Sequence, residues 1–367
     1  MDRADADSAK QVWKKTALLR DEGSVMSAPF ISVLITTYNY GRFVEESIES
    51  VLSQDYPAER REVVVVDDGS MDDTAERVKK YKGRIRYFRK ANGGQASALN
   101  LGFAEARGEI VCLLDADDYF LPGKLARVAE AFGRDPALGM FYHPFLEFDT
   151  ETGERRISRF LLVSGSPFEN PERFFGYGGP GTCVSFRRKF LDRLLPIPEE
   201  IRMLADGYLG SLIIFVAPIM ATTDCLAVYR LHGGNCFYGE ETEMPKEQLE
   251  KRMQLFRIKI RAMRQWLAAN GLTEGQQSVR TILNSFGLYL DRGRFLLQPP
   301  GRVRYFRYLM KYIETCRSQM GWRLRLENYL CAVGALLFGY ERREWVRGRV
   351  EHLGRRILGR SGPEPPD

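Results

Sequence analysis

The first half of this chain alternates short apolar runs with segments of helical periodicity. The apolar runs at 31–36, 63–66, 85–89 and 110–114 are predicted strands, and 43–54, 72–81 and 95–106 are predicted helices. Strands without a polar face, joined by helices, predict a parallel sheet that is covered by helices on both faces. We therefore predict an α/β fold with a Rossmann-like, mostly parallel sheet. Its ligands are expected at the carboxyl ends of the strands.

The pattern becomes less regular after residue 122. Helices are predicted at 122–132 and 204–215, and strands at 139–142, 145–148, 182–186 and 221–229. Near residues 238–245 the composition changes, and helices are predicted at 246–270, 274–297, 302–320, 324–338 and 341–358. We predict an N-terminal extension (1–28, with a short helix at 10–20), a catalytic domain (29–240), a basic helical region (241–360) and a flexible tail (361–367).

Charge is distributed unevenly along the chain. The formal net charge is +6, but residues 1–243 carry 30 basic and 37 acidic residues, whereas 246–360 carry 24 basic and 9 acidic ones. In the basic segment, arginines alternate with aromatic residues and leucines, a pattern typical of helices that lie on anionic lipid. A helical bundle that packs on the core or on a second subunit, with its arginines in water, has the same pattern. Nucleic acid is not a predicted partner, and the oligomeric state stays open.

Cysteine usage and hydropathy indicate the compartment. The six cysteines show no C-x-x-C spacing, and the N-terminus lacks the apolar core of a signal peptide. The longest apolar runs are shorter than the roughly 20 residues that span a bilayer. We predict a cytoplasmic protein without a transmembrane helix, peripheral at the inner face of the plasma membrane if the basic helices bind lipid.

Carboxylates follow two of the predicted strands. Asp67 and Asp68 close one strand, and Asp115, Asp117 and Asp118 follow another. Like charges at one sheet edge repel each other, and a hard divalent cation relieves that repulsion. Alternation places Asp115 and Asp117 on one side of an extended segment, so that one reaches a cation and the other a ribose hydroxyl. Alternatively, these acids are turn and capping residues.

The order of the motifs resembles a known family. The series Ile31-Ser-Val-Leu-Ile-Thr-Thr-Tyr-Asn39, Val63-Val-Val-Val-Asp-Asp-Gly-Ser70, Asn92-Gly-Gly94, Ala98-Leu-Asn-Leu-Gly102 and Leu113-Leu-Asp-Ala-Asp-Asp118 is similar to the family 2 inverting glycosyltransferases of the GT-A fold. Weaker matches follow at Cys183-Val-Ser-Phe-Arg-Arg188, Leu204-Ala-Asp206 and Tyr229-Arg-Leu-His232. The resemblance covers about residues 31–235.

The resemblance implies a set of site residues. Thr36, Tyr38, Asp67 and Asp68 would hold the nucleobase of a nucleotide sugar, and Asp115 would face the ribose or the sugar. Asn92, Gly93, Gly94 and Gly179 would approach the donor closely, although these glycines also suit a tight turn and a mobile loop. Asp117 would bind Mg²⁺ or Mn²⁺, His232 would contact the metal or the diphosphate, and Arg230 would help to neutralise the phosphates.

Asp206 is the candidate general base. An inverting transfer needs a carboxylate that accepts the proton of the acceptor hydroxyl. Where the family usually has Glu-Asp, this chain has Ala205-Asp206. Asp206 could instead cap a helix, and His232 could be structural.

The resemblance implies a metal-dependent inverting glycosyltransferase with a UDP-sugar as the expected donor and a saccharide or lipid-linked acceptor in cell-surface polysaccharide synthesis. The alternative, suggested by Ala205, is a non-catalytic nucleotide-sugar-binding or scaffolding protein. A dehydrogenase or nucleotidyltransferase fits less well because no G-x-G-x-x-G follows the first strand, where Thr36-Thr-Tyr-Asn-Tyr-Gly41 stands.

Overall fold

The computed structural model describes residues 28–158, 161–174, 179–235, 244–315, 322–343, 346–347 and 349. Its strands are β1 Ile31–Thr37, β2 Arg61–Asp67, β3 Arg86–Arg89, β4 Ile110–Asp115, β5 Tyr119–Phe120, β6 Met140–Tyr142, β7 Leu146–Asp149, β8 Arg155–Ile157, β9 Val184–Arg187, β10 Ile219–Ala221 and β11 Ala227–Leu231. Its α-helices are α1 Gly41–Leu52, α2 Thr74–Val78, α3 Gln95–Glu105, α4 Lys124–Arg134, α5 Arg188–Leu191, α6 Ala205–Ile213, α7 Lys246–Ala269, α8 Gln277–Leu297, α9 Arg302–Thr315 and α10 Trp322–Phe338.

The central sheet contains seven strands in the order β10-β6-β9-β4-β1-β2-β3. Strand β9 runs antiparallel to both of its neighbours, and the other pairs are parallel. A second sheet, in the order β5-β11-β7-β8, lies beside it. The predicted α/β fold with a mostly parallel sheet and a helical C-terminal region is confirmed.

Both faces of the central sheet are buried. Ile31, Val33 and Ile35 pack in one apolar cluster with α1 and α4, whereas Leu34 belongs to the cluster on the other face. This alternation follows from the two-residue period of a strand, and helices on both faces explain why the strand has no polar face.

The first two basic helices are part of the same core. Ile260 and Met263 of α7 and Ile282 of α8 are buried in the cluster that contains Leu209 and Leu212 of α6. Packing on the core therefore accounts for the apolar faces of α7 and α8. Helix α10 differs, because several of its apolar side chains are exposed.

The prediction of one strand at 221–229 is wrong. The chain forms two strands there, β10 and β11, which belong to different sheets. The hydroxyl of Thr222 donates a 2.9 Å hydrogen bond to Asp224, which also pairs with Arg127 at 2.7 Å. This polar turn interrupts an otherwise apolar run, and strand β8 was not predicted at all.

Several predictions lie wholly or partly outside the described residues. They are the extension with its helix at 10–20, the end of the helix at 302–320, most of the helix at 341–358, the tail, and part of the loop before Gly179. Within the described residues, no helix is long and apolar enough to cross a membrane.

Candidate active site

A cavity of about 1360 Å³ opens at the carboxyl ends of β1, β2 and β4. The register of the sheet brings these ends together, because Thr36 pairs with Asp115 and Thr37 with Asp67. Nine of the thirteen predicted site residues line it, namely Thr36, Tyr38, Asp68, Asn92, Gly94, Asp115, Asp117, Gly179 and Asp206. The other four, Asp67, Gly93, Arg230 and His232, do not line it.

Asp68 fixes the loop that carries the Asn-Gly-Gly motif. One carboxylate oxygen accepts hydrogen bonds from Lys90 at 2.8 Å and from the amide of Gly93 at 2.9 Å. The other accepts from the side chain of Asn92 at 3.1 Å and from the amide of Gly94 at 2.7 Å. Gly94 has a φ of 89°, and a Cβ there would lie 2.8 Å from the backbone of Arg202. Position 94 therefore requires glycine, because the loop passes close to the backbone of Arg202 there.

Asp67 stabilises the strand ends from within the core. Its side chain is fully buried, accepts the amide of Ser70 at 2.7 Å and the hydroxyl of Tyr87 at 2.6 Å, and lies 3.6 Å from the guanidinium of Arg89. Because both oxygens have partners and neither lines the cavity, Asp67 is placed to shape the turn before Asp68. Its expected contact with a nucleobase stays a prediction.

The three acids after β4 have different surroundings. Asp118 is fully buried, accepting the hydroxyl of Thr182 at 2.6 Å and the amide of Arg230 at 3.0 Å. Burial raises the pKa of Asp115 well above its usual value, and the charges of Asp117 and Asp206 raise it further. Asp118 therefore links the end of β4 to the segments that carry Thr182 and Arg230. Asp115, Asp117 and Asp206 all line the cavity.

His232 lies directly behind Asp117. Its Nδ1 is 3.2 Å from the guanidinium of Arg42 and accepts the amide of Gly234 at 3.3 Å, which assigns the proton to Nε2. Nε2 then donates to the Asp117 carboxylate at 3.1 Å. His232 thus orients Asp117, as outer-shell histidines and carboxylates orient metal ligands. The predicted contact of His232 with the metal itself stays a prediction.

Arg230 points away from the cavity. Its guanidinium lies 5.0 Å from the ring centroid of Phe43 and 4.7 Å from that of Tyr119, and it pairs with Glu46 at 2.6 Å. Strand alternation directs its side chain to the opposite face of β11 from Tyr229, which lines the cavity. The expected contact of Arg230 with the phosphates stays a prediction.

Asp206 occupies the first turn of α6. The N-cap position is Leu204, which adopts a left-handed φ of 68°, so the alternative that Asp206 is the N-cap is wrong. Burial raises the pKa of Asp206, while the backbone amides of Gly207 and Gly181 and the charge of Lys259 lower it in part. Burial that raises a carboxylate's pKa makes it a stronger base, as proton abstraction requires.

Sequence reasoning missed one wall of the cavity. Helices α7 and α8 contribute it, and the lining side chains are Lys251, Arg252, Gln254, Leu255, Phe256, Lys259, Phe286 and Tyr289. One pattern could have indicated this role. Arg252 and Lys259 are seven residues apart, at the border of the apolar face of the predicted helix, where solvated cations are not expected.

Comparison with known proteins matches this architecture. The model of "Glycosyl transferase family 2" matches residues 32–195. An uncharacterized glycosyltransferase of Nostoc sp. is 33% identical over 221 residues, covering 56% of this chain and 66% of that protein. The chain belongs to glycosyl transferase family 2. An uncharacterized glycosyltransferase of Mycoplasma genitalium is 37% identical over 116 residues, which cover 30% of this chain and 39% of that protein.

Two solved structures share the fold of this family 2 chain. TarS 1-349 of S. aureus is 20% identical with a TM-score of 0.55, covering 87% of this chain and 91% of that chain. The mannosyltransferase PcManGT of Pyrobaculum calidifontis, in complex with GDP-Man and Mn²⁺, is 20% identical with a TM-score of 0.51 and covers 97% and 96%. The alignments extend beyond residues 32–195, so the fold similarity includes most of the chain.

Proposed function

We propose that this protein is a metal-dependent inverting glycosyltransferase that transfers a hexose from a nucleoside-diphosphate sugar to a saccharide or lipid-linked acceptor. The observation that carries the proposal is the convergence of Asp115, Asp117 and Asp206 in one large cavity at the strand ends. We assign it to the cytoplasm and to cell-surface polysaccharide synthesis, with UDP-sugars as the first donors to test.

The donor half of the site is formed by the family core. Thr36, Tyr38, Asp68, Asn92 and Gly94 line the cavity, and we assign the nucleobase to this part of it. A TarS structure contains UDP-GlcNAc, and the PcManGT structure contains GDP-Man with Mn²⁺. These neighbours support a nucleotide-sugar donor for this chain, with the base and the sugar left to experiment.

The residues present fit Mg²⁺ or Mn²⁺. Both ions accept hard oxygen ligands, and Mg²⁺ typically takes one or two protein carboxylates, with water and substrate phosphates completing its shell. Among the described residues, no group of three or more acids, histidines or cysteines could hold a metal alone. Asp117, oriented by His232, would hold the cation together with the diphosphate, and the bound ion would neutralise the leaving group.

Asp206 is the proposed general base. Its carboxylate accepts the proton of the acceptor hydroxyl while that oxygen forms a bond to the anomeric carbon. The bond from that carbon to the diphosphate breaks on the opposite face, so the configuration inverts. Burial of Asp206, which raises its pKa, supports this role.

The alternative is a nucleotide-sugar-binding or scaffolding protein. Ala205 replaces the acid that usually precedes the base, and its amide donates to the side chain of Gln95 at 2.9 Å, which ties α6 to α3. Such a protein would bind the donor without transferring or hydrolysing its sugar. Donor hydrolysis in the absence of an acceptor, measured as release of nucleoside diphosphate, would contradict this alternative.

Calorimetric titration with UDP, GDP, dTDP and CDP tests the proposal. Each diphosphate is measured with Mg²⁺, with Mn²⁺ and with EDTA. We expect one of them to bind with metal and to lose about tenfold or more in affinity with EDTA, because the carboxylates otherwise repel the diphosphate. Equal affinity with and without metal, or no binding at all, would contradict it.

We also propose that α10 docks on an anionic bilayer surface. Leu326, Leu330, Val333 and Leu337 recur along one side of this helix and are 39–60% exposed. The neighbouring helix α9 carries the exposed basic residues Arg302, Arg304 and Arg307. An exposed apolar stripe on one helix, with exposed cations on the helix packed against it, suits acyl chains beneath anionic headgroups.

Replacement of Leu337 by glutamate is expected to weaken binding to phosphatidylglycerol-containing vesicles by about tenfold, since one buried leucine contributes roughly 1.5–3 kcal/mol. Co-sedimentation measures the bound fraction. The control is Ile157→Glu, which changes an equally exposed apolar residue on β8. The proposal is contradicted if Leu337→Glu binds the anionic vesicles as well as the unchanged protein does. It is also contradicted if the unchanged protein binds neutral vesicles as well as anionic ones.

A further inference from the structure

Helix α7 presents two buried cations to the cavity. Arg252 is 7% exposed and Lys259 is 5% exposed, and both side chains line the cavity. Seven residues separate them, so they lie on one face of the helix, two turns apart. The helix lies beyond residues 32–195, where the family model matches. The family resemblance therefore assigns no role to either residue.

Lys259 lacks a close counter-ion. Its ammonium lies over the rings of Phe286 and Phe256, at 4.5 and 5.6 Å from their centroids. Within the part of the chain that the structure describes, it has neither a hydrogen bond nor a carboxylate within salt-bridge distance. Burial lowers the pKa of Lys259 to about 8, and the charge of Asp206 offsets only part of that effect. An anionic ligand would supply the missing charge.

The cavity therefore has two walls of opposite charge. The sheet edge carries Asp68, Asp115 and Asp117, and the wall formed by α7 carries Arg252 and Lys259. Between the two cations along α7, the ring of Phe256 packs against that of Tyr289 with centroids 4.2 Å apart. Both rings line the cavity, and aromatic surfaces of this kind suit the apolar face of a sugar or polyol.

We propose that Arg252 and Lys259 form an anion subsite for the acceptor. The subsite takes a phosphate or carboxylate group that is covalently attached to the acceptor near its reacting hydroxyl. A Cβ on Gly207 would lie 3.1 Å from the Lys259 ammonium, so the subsite adjoins the turn that carries Asp206. This inference rests on the proposed function, and it specifies the chemical class of the acceptor.

Calorimetry with glycerol 3-phosphate, glycerate and glycerol tests the subsite in the full-length protein. EDTA is present, so that no metal recruits the anions to the Asp117 side. We expect one or both anions to bind and glycerol not to bind. Lys259→Met and Arg252→Gln should each weaken anion binding by about tenfold or more, because hydrogen bonds to charged groups are strong. Lys259→Arg should retain most of the affinity.

The matched control is Arg257→Met, which removes one positive charge from an exposed position on the opposite side of α7. It should bind the anion as the unchanged protein does. If glycerol 3-phosphate and glycerate both fail to bind the unchanged protein, or if they bind the Lys259 and Arg252 variants equally well, the subsite does not exist. Thermal unfolding of each variant separates a lost contact from a lost fold.

A second titration separates this inference from the proposed function. Lys259→Met should bind the nucleoside diphosphate with Mn²⁺ within about twofold of the unchanged protein. Equal losses of diphosphate and anion binding would assign Lys259 to the donor and overturn the acceptor subsite. Failure of every diphosphate to bind the unchanged protein, with anion binding intact, would instead contradict the proposed donor.

Discussion

Asp206→Asn is expected to lower kcat by about 10²–10⁴-fold, the usual contribution of a general base. Asparagine keeps the size of the side chain but cannot accept the hydroxyl proton. Because burial raises the pKa of Asp206, kcat/KM of the unchanged protein should fall with decreasing pH at values above those of an ordinary aspartate. Below that pKa the carboxyl group is protonated and the base is lost.

Donor binding is the control for Asp206→Asn. Since the proposed donor contacts lie elsewhere, affinity for the diphosphate with metal should change by no more than about twofold, while turnover is lost. Lys259→Met gives an independent check of the pH dependence. Removing its charge should raise the pKa of Asp206 further, so the acidic limb should move to higher pH. If Asp206→Asn retains turnover within a few fold of the unchanged protein, another group must accept the proton.

Asp117→Asn is expected to abolish the metal-dependent part of diphosphate binding. Loss of an outer-shell partner typically costs about 10–100-fold in metal affinity, and loss of the ligand itself should cost more. His232→Gln, which removes the 3.1 Å contact to Asp117, should therefore have the smaller effect. Calorimetry with and without Mn²⁺ measures both variants.

The melting temperature of Asp117→Asn distinguishes a lost metal ligand from a damaged core. The charge of Asp117 raises the pKa values of Asp115 and Asp118, so its removal relieves repulsion among buried carboxylates. The melting temperature of metal-free Asp117→Asn should therefore equal or exceed that of the unchanged protein. If the diphosphate binds Asp117→Asn with the same metal dependence as the unchanged protein, Asp117 is not a metal ligand.

The sequence was sufficient to predict the strands whose ends form the donor half. Apolar runs locate β1, β2 and β4, and parallel topology then places Asp68, Asp115 and Asp117 at one edge. Side-chain direction was harder to predict. Asp67 precedes Asp68 in the chain, but its side chain turns to Tyr87 on β3. Arg230 follows Tyr229, but its side chain turns to Glu46 on α1. These partners are distant in sequence, so the sequence pattern did not indicate either contact.

The wall formed by α7 and α8 was missed for a different reason. Periodicity identified α7 as an amphipathic helix within one residue of its observed end, but not the surface against which it packs. Its docking depends on the shape of α6 and α8, which the pattern of a single helix does not encode. The buried position of Lys259 follows from that docking, and local propensity alone would have left it in solvent.

Helix α7 is both a core element and a cavity wall, so its apolar side serves stability while its other side faces the cavity. The residues proposed to bind the donor lie within the family match at 32–195, whereas α7 and α8, which follow it along the chain, form the wall proposed for the acceptor. If the proposal holds, substitutions confined to the cavity-facing side of α7 and α8 would change the acceptor without disturbing the core or the proposed donor contacts.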